Sequence, residues 1–239
     1  MAELRLPSDP AELLRAVRKP LGYHLGGEHH LTLGGGTALA MRWAHRRSID
    51  LDLTVDFAVN ARLPVSGFQA DIDRLTGKQG YVTFAPGLTR IDLPAGEITV
   101  DGSDSLTRNP RSADTIRGTR IPLHTTAEIL ARKLGYRMLA RGRYLSRDLY
   151  DLAVARRADP EALTTALATF HPDSLATLRR NLAQLDQDHI VSQSPPLLDS
   201  AHPLEADNFL DILEHAVVRH LGDRPPPAPP RDRSPARGR

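Results

Sequence analysis

The sequence predicts an α+β fold: a mixed sheet with helices in the front half, followed by a helical back half. Short apolar-polar alternations separated by Gly and Pro are confined to the first hundred residues or so. From residue 126 onward the apolar pattern is helical throughout. Of the 239 residues, 40% are hydrophobic and 25% charged, enough to bury the core of one large or two small domains. The expected division is a core over 1–121, a helical region completing a cleft over 122–222, and a Pro/Arg-rich disordered tail over 223–239.

The elements follow in order. Pro10–Arg18 reads as a helix with Asp9 as N-cap and Pro10 at the first helical position. His30–Leu33 reads as a strand, which Gly34, Gly35 and Gly36 break. Thr37–His45 is rich in helix formers. Ser48–Val55 alternates strictly and predicts a strand. Phe68–Thr76 is helical, and Tyr81–Phe84, Thr89–Leu93 and Glu97–Val100 are short strands. Thr125 and Glu128 have capping-box spacing at the start of a helix running to about Ala140, which Gly135 weakens. Further helices are expected at Ser146–Arg157, Pro160–Phe170, Asp173–Leu185 and Glu205–His220.

Composition excludes several classes. Without cysteine there is no disulfide scaffold, thiolate zinc site or thiol catalysis. No apolar run approaches the roughly 18 residues of a membrane helix. Acids among the first apolar residues argue against a signal peptide, so a cytoplasmic location is expected. Charge is unevenly spread: residues 106–157 hold twelve Lys or Arg against four acids, and 158–222 hold three against ten. The basic segment suits a polyanion such as a nucleotide or RNA, or a solvated face against the acidic segment.

The chemistry concentrates in residues 34–55 (GGGTALAMRWAHRRSIDLDLTV). In a strand, Ser48, Asp50 and Asp52 share one side, with the two Asp Cα atoms about 6.6 Å apart. Paired carboxylates need a cation, and hard oxygen ligands favour Mg²⁺ or Mn²⁺. Three glycines before a helix expose N–H groups at its positive end, a cradle for phosphate built from Gly35, Gly36 and Thr37. Glycines also simply permit tight turns. Together the two features form a layout able to hold a metal–triphosphate complex. Further on, Lys133 and Arg137 share a helix face, and Asp148 and Asp151 share a face of the next helix. These read as an ion-pair network between helices or as a second part of the site.

The run GGGTALA…HRRSIDLDL resembles the signature of the polymerase-β-like nucleotidyltransferase superfamily, and its RRSIDLDL form is similar to the AbiEii-type toxins. TTAEILARKLGYR…SRDLYDLA, residues 125–153, is similar to that family's second block. The resemblance implies a metal-dependent transfer of NMP from an NTP to an acceptor hydroxyl, with the 3′ end of tRNA as acceptor and a cognate antitoxin as partner. It implies that Asp50 and Asp52 hold the metal, that Ser48 belongs to the nucleotide site, that Lys133 and Arg137 reach the triphosphate, and that Asp148 lies at the cleft. Asp151 is expected to fix helix packing. The family's third carboxylate falls on Thr99 here. Asp101 is the expected substitute, with Asp92 as the other candidate. Alternatives are an aminoglycoside-type transferase with a small polar acceptor, or a degenerate nucleotide-binding or antitoxin-interacting module.

Other features weigh less. His24, Glu28, His29 and His30 are a weak metal set, because adjacent histidines in a strand point to opposite faces. Trp43 is expected in the core, with base stacking as the alternative.

Overall fold

The computed structural model describes residues 2–61, 63 and 65–222; the expected Pro/Arg-rich tail lies outside the described residues. The front half runs β1 (Glu3–Leu4), α1 (Ser8–Leu25), β2 (Thr32–Leu33), α2 (Gly35–Trp43), β3 (Leu51–Val55), α3 (Phe57–Asn60) and α4 (Val65–Thr76), then β4 (Tyr81–Ala85), β5 (Leu88–Leu93), β6 (Gly96–Gly102) and β7 (Thr115–Ile116). The rest is helical: α5 (Thr126–Arg132) leads directly into a π-helical segment (Lys133–Leu139), followed by α6 (Ser146–Ala158), α7 (Pro160–Ala168), α8 (Pro172–Leu182), α9 (Gln187–Gln193), α10 (Pro203–Asp207) and α11 (Phe209–Gly222). Strands in front and helices behind is the expected α+β order. No helix of the described residues is long and apolar enough to cross a membrane.

Five strands form one mixed sheet in the order β2-β3-β6-β5-β4, with only β3 and β6 parallel. β1 and β7 pair separately. Alternation makes the sheet one-sided. Leu51, Leu53 and Val55 of β3, Ile98 and Val100 of β6 and Ile91 of β5 are buried. They pack with Leu13, Val17 and Leu21 of α1 and with Phe68 and Ile72 of α4, in one core. At roughly 1.5–3 kcal/mol per buried side chain, this stripe fixes which face of β3 looks inward. The opposite face carries two rows set by register, polar except at Leu88: Asp52–Thr99–Arg90, then Thr54–Asp101–Leu88.

Several boundaries differ from the sequence reading. α1 does not stop at Arg18 but runs through Pro20 to a left-handed Gly26, because Leu21 and Leu25 prolong the buried stripe. Burial there outweighs the hydrogen bond that proline removes. Pro7, not Asp9, occupies the N-cap, and Asp9 pairs with Arg47 at 2.7 Å. β3 begins at Leu51, so Ser48 and Asp50 precede the pairing. The helix expected from Thr126 to Ala140 changes winding at Lys133. Gly135 packs there, where a Cβ would lie 3.0 Å from the Phe170 ring and 3.2 Å from Leu106. His29 and His30 sit in one 3₁₀ turn with rings 4.1 Å apart, not on opposite faces of a strand. Helix α9 and the break between α10 and α11 had no clear sequence signal.

Candidate active site

Each of the three consecutive glycines has a different neighbour where a side chain would be. A Cβ on Gly34 would lie 2.9 Å from the His124 ring, one on Gly36 2.1 Å from the Arg46 guanidinium, and one on Gly35 1.8 Å from Asp52 Oδ2. Gly35 also has φ +61, a left-handed conformation that only glycine adopts freely. The Asp52 carboxylate therefore rests on the first residue of α2, at the positive end of the helix. Gly34 N–H donates to the Asp52 carbonyl at 2.9 Å, locking the turn to β3.

Thr37 and Ser48 hold this corner from inside. Thr37 is wholly buried, and its hydroxyl donates to the Asp50 carbonyl at 2.5 Å. Ser48 Oγ lies 2.8 Å away. With the Thr37 proton committed to a carbonyl, Ser48 must be the donor in that second bond. Both hydroxyls thus position the Asp50 backbone; Thr37 is spent inside and lines neither cleft, whereas Ser48 lies in the wall of the cleft that holds Asp50 and Asp52.

Lys133 and Arg137 share a helix face and converge on α6. Lys133 Nζ lies 2.5 Å from Asp148 Oδ1 and 3.0 Å from Asp151 Oδ2, and all three side chains are buried. The lysine expected to reach the triphosphate is braced between two buried carboxylates, at the wall of the cleft that includes Gly35 and Asp52. Arg137 Nη1 bonds both oxygens of Asp148 at 2.8 Å, and its Nη2 approaches Asp52 Oδ1 at 3.9 Å. Asp151 also accepts from His45 Nε2 at 2.7 Å and from Arg46 through two bonds, at 2.7 and 3.0 Å. Burial alone would raise the pKa of Asp148, but Lys133 and Arg137 hold it well below the usual carboxylate range. Asp151 is held down likewise, by Lys133 and Arg46 against its burial. Both are charged at neutral pH. Three cations face these two anions, and the surplus positive charge points outward along Arg137 to Asp52.

Sequence reasoning missed His45 and Arg46. Both stand in the HRRSIDLDL run, which gave them no role of their own; they follow α2 and precede the Asp-x-Asp strand, so they can return beneath the helix tip. Trp43 packs edge-on against His45, with ring centroids 5.3 Å apart.

Asp50 pairs with Arg147 at 2.9 Å, and the pair is about one-third exposed. Asp50 and Asp52 line one cleft together. Thr99 stands beside Asp52 in the parallel ladder, where the family's third carboxylate was expected. Asp101 is on the same face but pairs with Thr54, one row along, and it accepts from Ser103 Oγ at 2.9 Å. Asp92 lies on β5, separated from β3 by β6, and is paired with Arg90. Among the described residues no group of three His, Asp or Glu is gathered closely enough to hold a metal ion. His24 is engaged by Asp71 at 2.8 Å, so the histidine set near residue 28 forms no metal site. The pair Asp50 and Asp52 does fit a hard divalent ion: two carboxylates in one cleft, next to a helix tip whose glycine leaves room for one of them.

Two clefts meet over Asp52. One, of about 240 Å³, includes Gly35, Thr54, Phe57, Asp101, Tyr136 and Arg137 in its walls. The other, of about 500 Å³, contains Asp50 and seven arginines, faced by Pro195, Pro196, Leu197 and Leu198. That apolar wall is tied down where Arg47 N–H donates to the Leu198 carbonyl at 2.8 Å.

A family model described as "Nucleotidyl transferase AbiEii toxin, Type IV TA system" matches residues 23–219. No curated protein matches the chain. A candidate nucleotidyltransferase from Helicobacter pylori has a similar fold, with TM-score 0.50 and 17% identity over 89% of this chain and 95% of that one. A second Helicobacter pylori structure, JHP933, is also 17% identical, with TM-score 0.49, covering 91% of this chain and 95% of its own.

Proposed function

Because the chain belongs to the AbiEii nucleotidyltransferase toxin family, we propose that it transfers a nucleoside monophosphate from an NTP to an acceptor hydroxyl, the 3′ end of a tRNA. A cognate antitoxin is its proposed protein partner. The observation that carries the reading is the Asp52 carboxylate lying on the tip of α2, with Asp50 in the same cleft. That arrangement sets a cation-binding pair against a phosphate-binding helix end.

In this reading, Asp50 and Asp52 hold Mg²⁺ or Mn²⁺, which when bound supplies charge neutralisation at the reacting phosphate. The N–H groups of Gly35, Gly36 and Thr37 receive the β- and γ-phosphates. Arg137, aimed by Asp148, neutralises them from the other side. The acceptor oxygen forms a bond to the α-phosphorus as the bond from that phosphorus to the bridging oxygen breaks. Pyrophosphate leaves with the electron pair, and the hydroxyl proton passes to solvent. Lys133 and Asp151 act by positioning: they brace Asp148 and Arg46, which in turn fix Arg137 and the helix tip. Asp101 is proposed as the third carboxylate, acting less directly than Asp50 and Asp52 because it stands one row from Asp52.

The test is incubation with each radiolabelled NTP, Mg²⁺ and total tRNA. Wild type should label RNA, and Asp50→Asn or Asp52→Asn should abolish labelling with the thermal midpoint unchanged within a few degrees. Full activity in Asp52→Asn would place the chemistry elsewhere. Labelling of an aminoglycoside but not of RNA would select the small-molecule reading. NTP binding with no labelled acceptor of any kind would select the binding-module reading.

A further inference from the structure

Resting on the transferase reading, we propose that the two clefts meeting at Asp52 divide the reactants: the base and sugar of the NTP enter the cleft bearing Phe57 and Tyr136, and the phosphates of the acceptor strand follow the arginine cleft. Three observations assign the sides.

The first is register. Transfer at phosphorus places the attacking and leaving oxygens in line, on opposite sides of the reacting atom. The open face of the sheet offers two such sides. Asp52, Thr99 and Leu88 border both clefts, while Arg90 borders the arginine cleft alone and Thr54 and Asp101, the latter two about 6.6 Å farther along the strands from Asp52 and Thr99, border the other alone.

The second is the helix tip. Gly35 opens on the Phe57 cleft and not on the arginine cleft. Phosphates seated on that tip bring the nucleoside attached to them to the same side.

The third is chemistry. Phe57 is 51% exposed, a large apolar ring left in water at the cleft mouth. It is fixed there by Asp56, which caps α3, and by the Gly87 turn, where a Cβ would lie 3.1 Å from the ring. Tyr136 is anchored by its hydroxyl on the Asp104 carbonyl at 3.0 Å, with the Arg132 guanidinium 5.7 Å from its ring. Rings held at a cleft wall are stacking platforms for a base. Among the described residues the arginine cleft has no aromatic side chain in its walls, it has about twice the volume, and it presents the partly exposed Arg47, Arg90 and Arg147 together with Arg143, a lining that suits a run of phosphodiesters.

Two binding assays test the division. Calorimetry with Mg²⁺ and the α,β-methylene analogues of ATP, GTP, CTP and UTP reads the donor side. Fluorescence anisotropy with a labelled 12-nucleotide single-stranded RNA reads the acceptor side. Phe57→Ala should weaken the preferred analogue about five- to hundredfold, the range for loss of one base–aromatic stack, with RNA affinity changed less than twofold. Phe57→Trp should restore analogue binding, which a folding defect would not allow. The double variant Arg90→Ala/Arg143→Ala should weaken RNA binding at least about tenfold and flatten its salt dependence, leaving analogue affinity within twofold. The opposite pattern, or Phe57→Ala binding every analogue as wild type does, overturns the assignment while leaving the transferase reading intact. Wild type that binds no analogue overturns the transferase reading itself, and this one with it.

Discussion

Replacing Gly35 by alanine separates the geometry of the site from the stability of the fold. Two costs arise. The first is backbone strain: at φ +61 an L-residue is disfavoured by about 1–2 kcal/mol. For a chain of this size each kcal/mol lowers the thermal midpoint by roughly 2–4 °C. The second is contact. The new Cβ would sit 1.8 Å from Asp52 Oδ2, whereas ordinary contact begins at 3.4 Å. The carboxylate must retreat by roughly 1.5 Å, and a misplacement of about 1 Å costs on the order of a hundredfold in rate. Gly77 supplies the control, because it has the same φ of +61 with nothing within 4 Å of its Cβ position. Gly77→Ala should therefore show the midpoint loss alone. Gly35→Ala should show a comparable or somewhat larger loss together with a fall in kcat/KM of at least about a hundredfold, measured by incorporation of labelled NMP. A Gly35→Ala enzyme retaining more than half of wild-type activity would refute the placement of Asp52 at the reacting phosphate.

The other expectations concern the buried network and its surroundings. Lys133→Met leaves Asp148 and Asp151 short of a countercharge and should cost about 3–5 kcal/mol, read from urea unfolding. Since the folded pKa values of Asp148 and Asp151 are depressed, their contribution persists above the unfolded carboxylate range near pH 4 and is lost as pH falls further; Asp148→Asn should reduce the acid slope of stability there. His124 is pushed down to about 4, chiefly by burial and then by Arg132. Its neutral form therefore stabilises the fold above about pH 6.5, and about 3 kcal/mol is lost as pH falls from there toward 4. His124→Phe should flatten that window in pH-dependent unfolding. Asp101→Asn should slow transfer roughly tenfold, against at least about a thousandfold for Asp52→Asn, because Asp101 stands one row from Asp52 and is already held by Ser103.

Legibility in the sequence followed locality. The Asp-x-Asp pair, its buried apolar partners and the glycine turn all lie within residues 34–55, where strand alternation and glycine conformation speak directly. Lys133 and Arg137 were recognisable as one face, and so were Asp148 and Asp151. Their arrangement was not, because periodicity says which side chains are neighbours along a helix and nothing about which are inside. So nothing in the spacing told that the lysine expected at a phosphate would be braced by two buried carboxylates at the cleft wall. The π-helical winding after Arg132 was equally hidden, since Gly135 reads as a weak point and not as a packing seat for Phe170. The walls of the arginine cleft join residues near 47, 90, 143 and 197, a convergence made only by the tertiary fold.

The seating of Arg46 against Gly36 has a practical consequence for dissecting this protein. Arg46 is gripped by Asp151, which belongs to a helix encoded more than a hundred residues later. A fragment ending before α5 would retain every carboxylate of the strand and all three glycines, yet would lack the clamp that sets their mutual spacing. Complementation by adding the missing half in trans should then revive function abruptly, as one unit, instead of by increments.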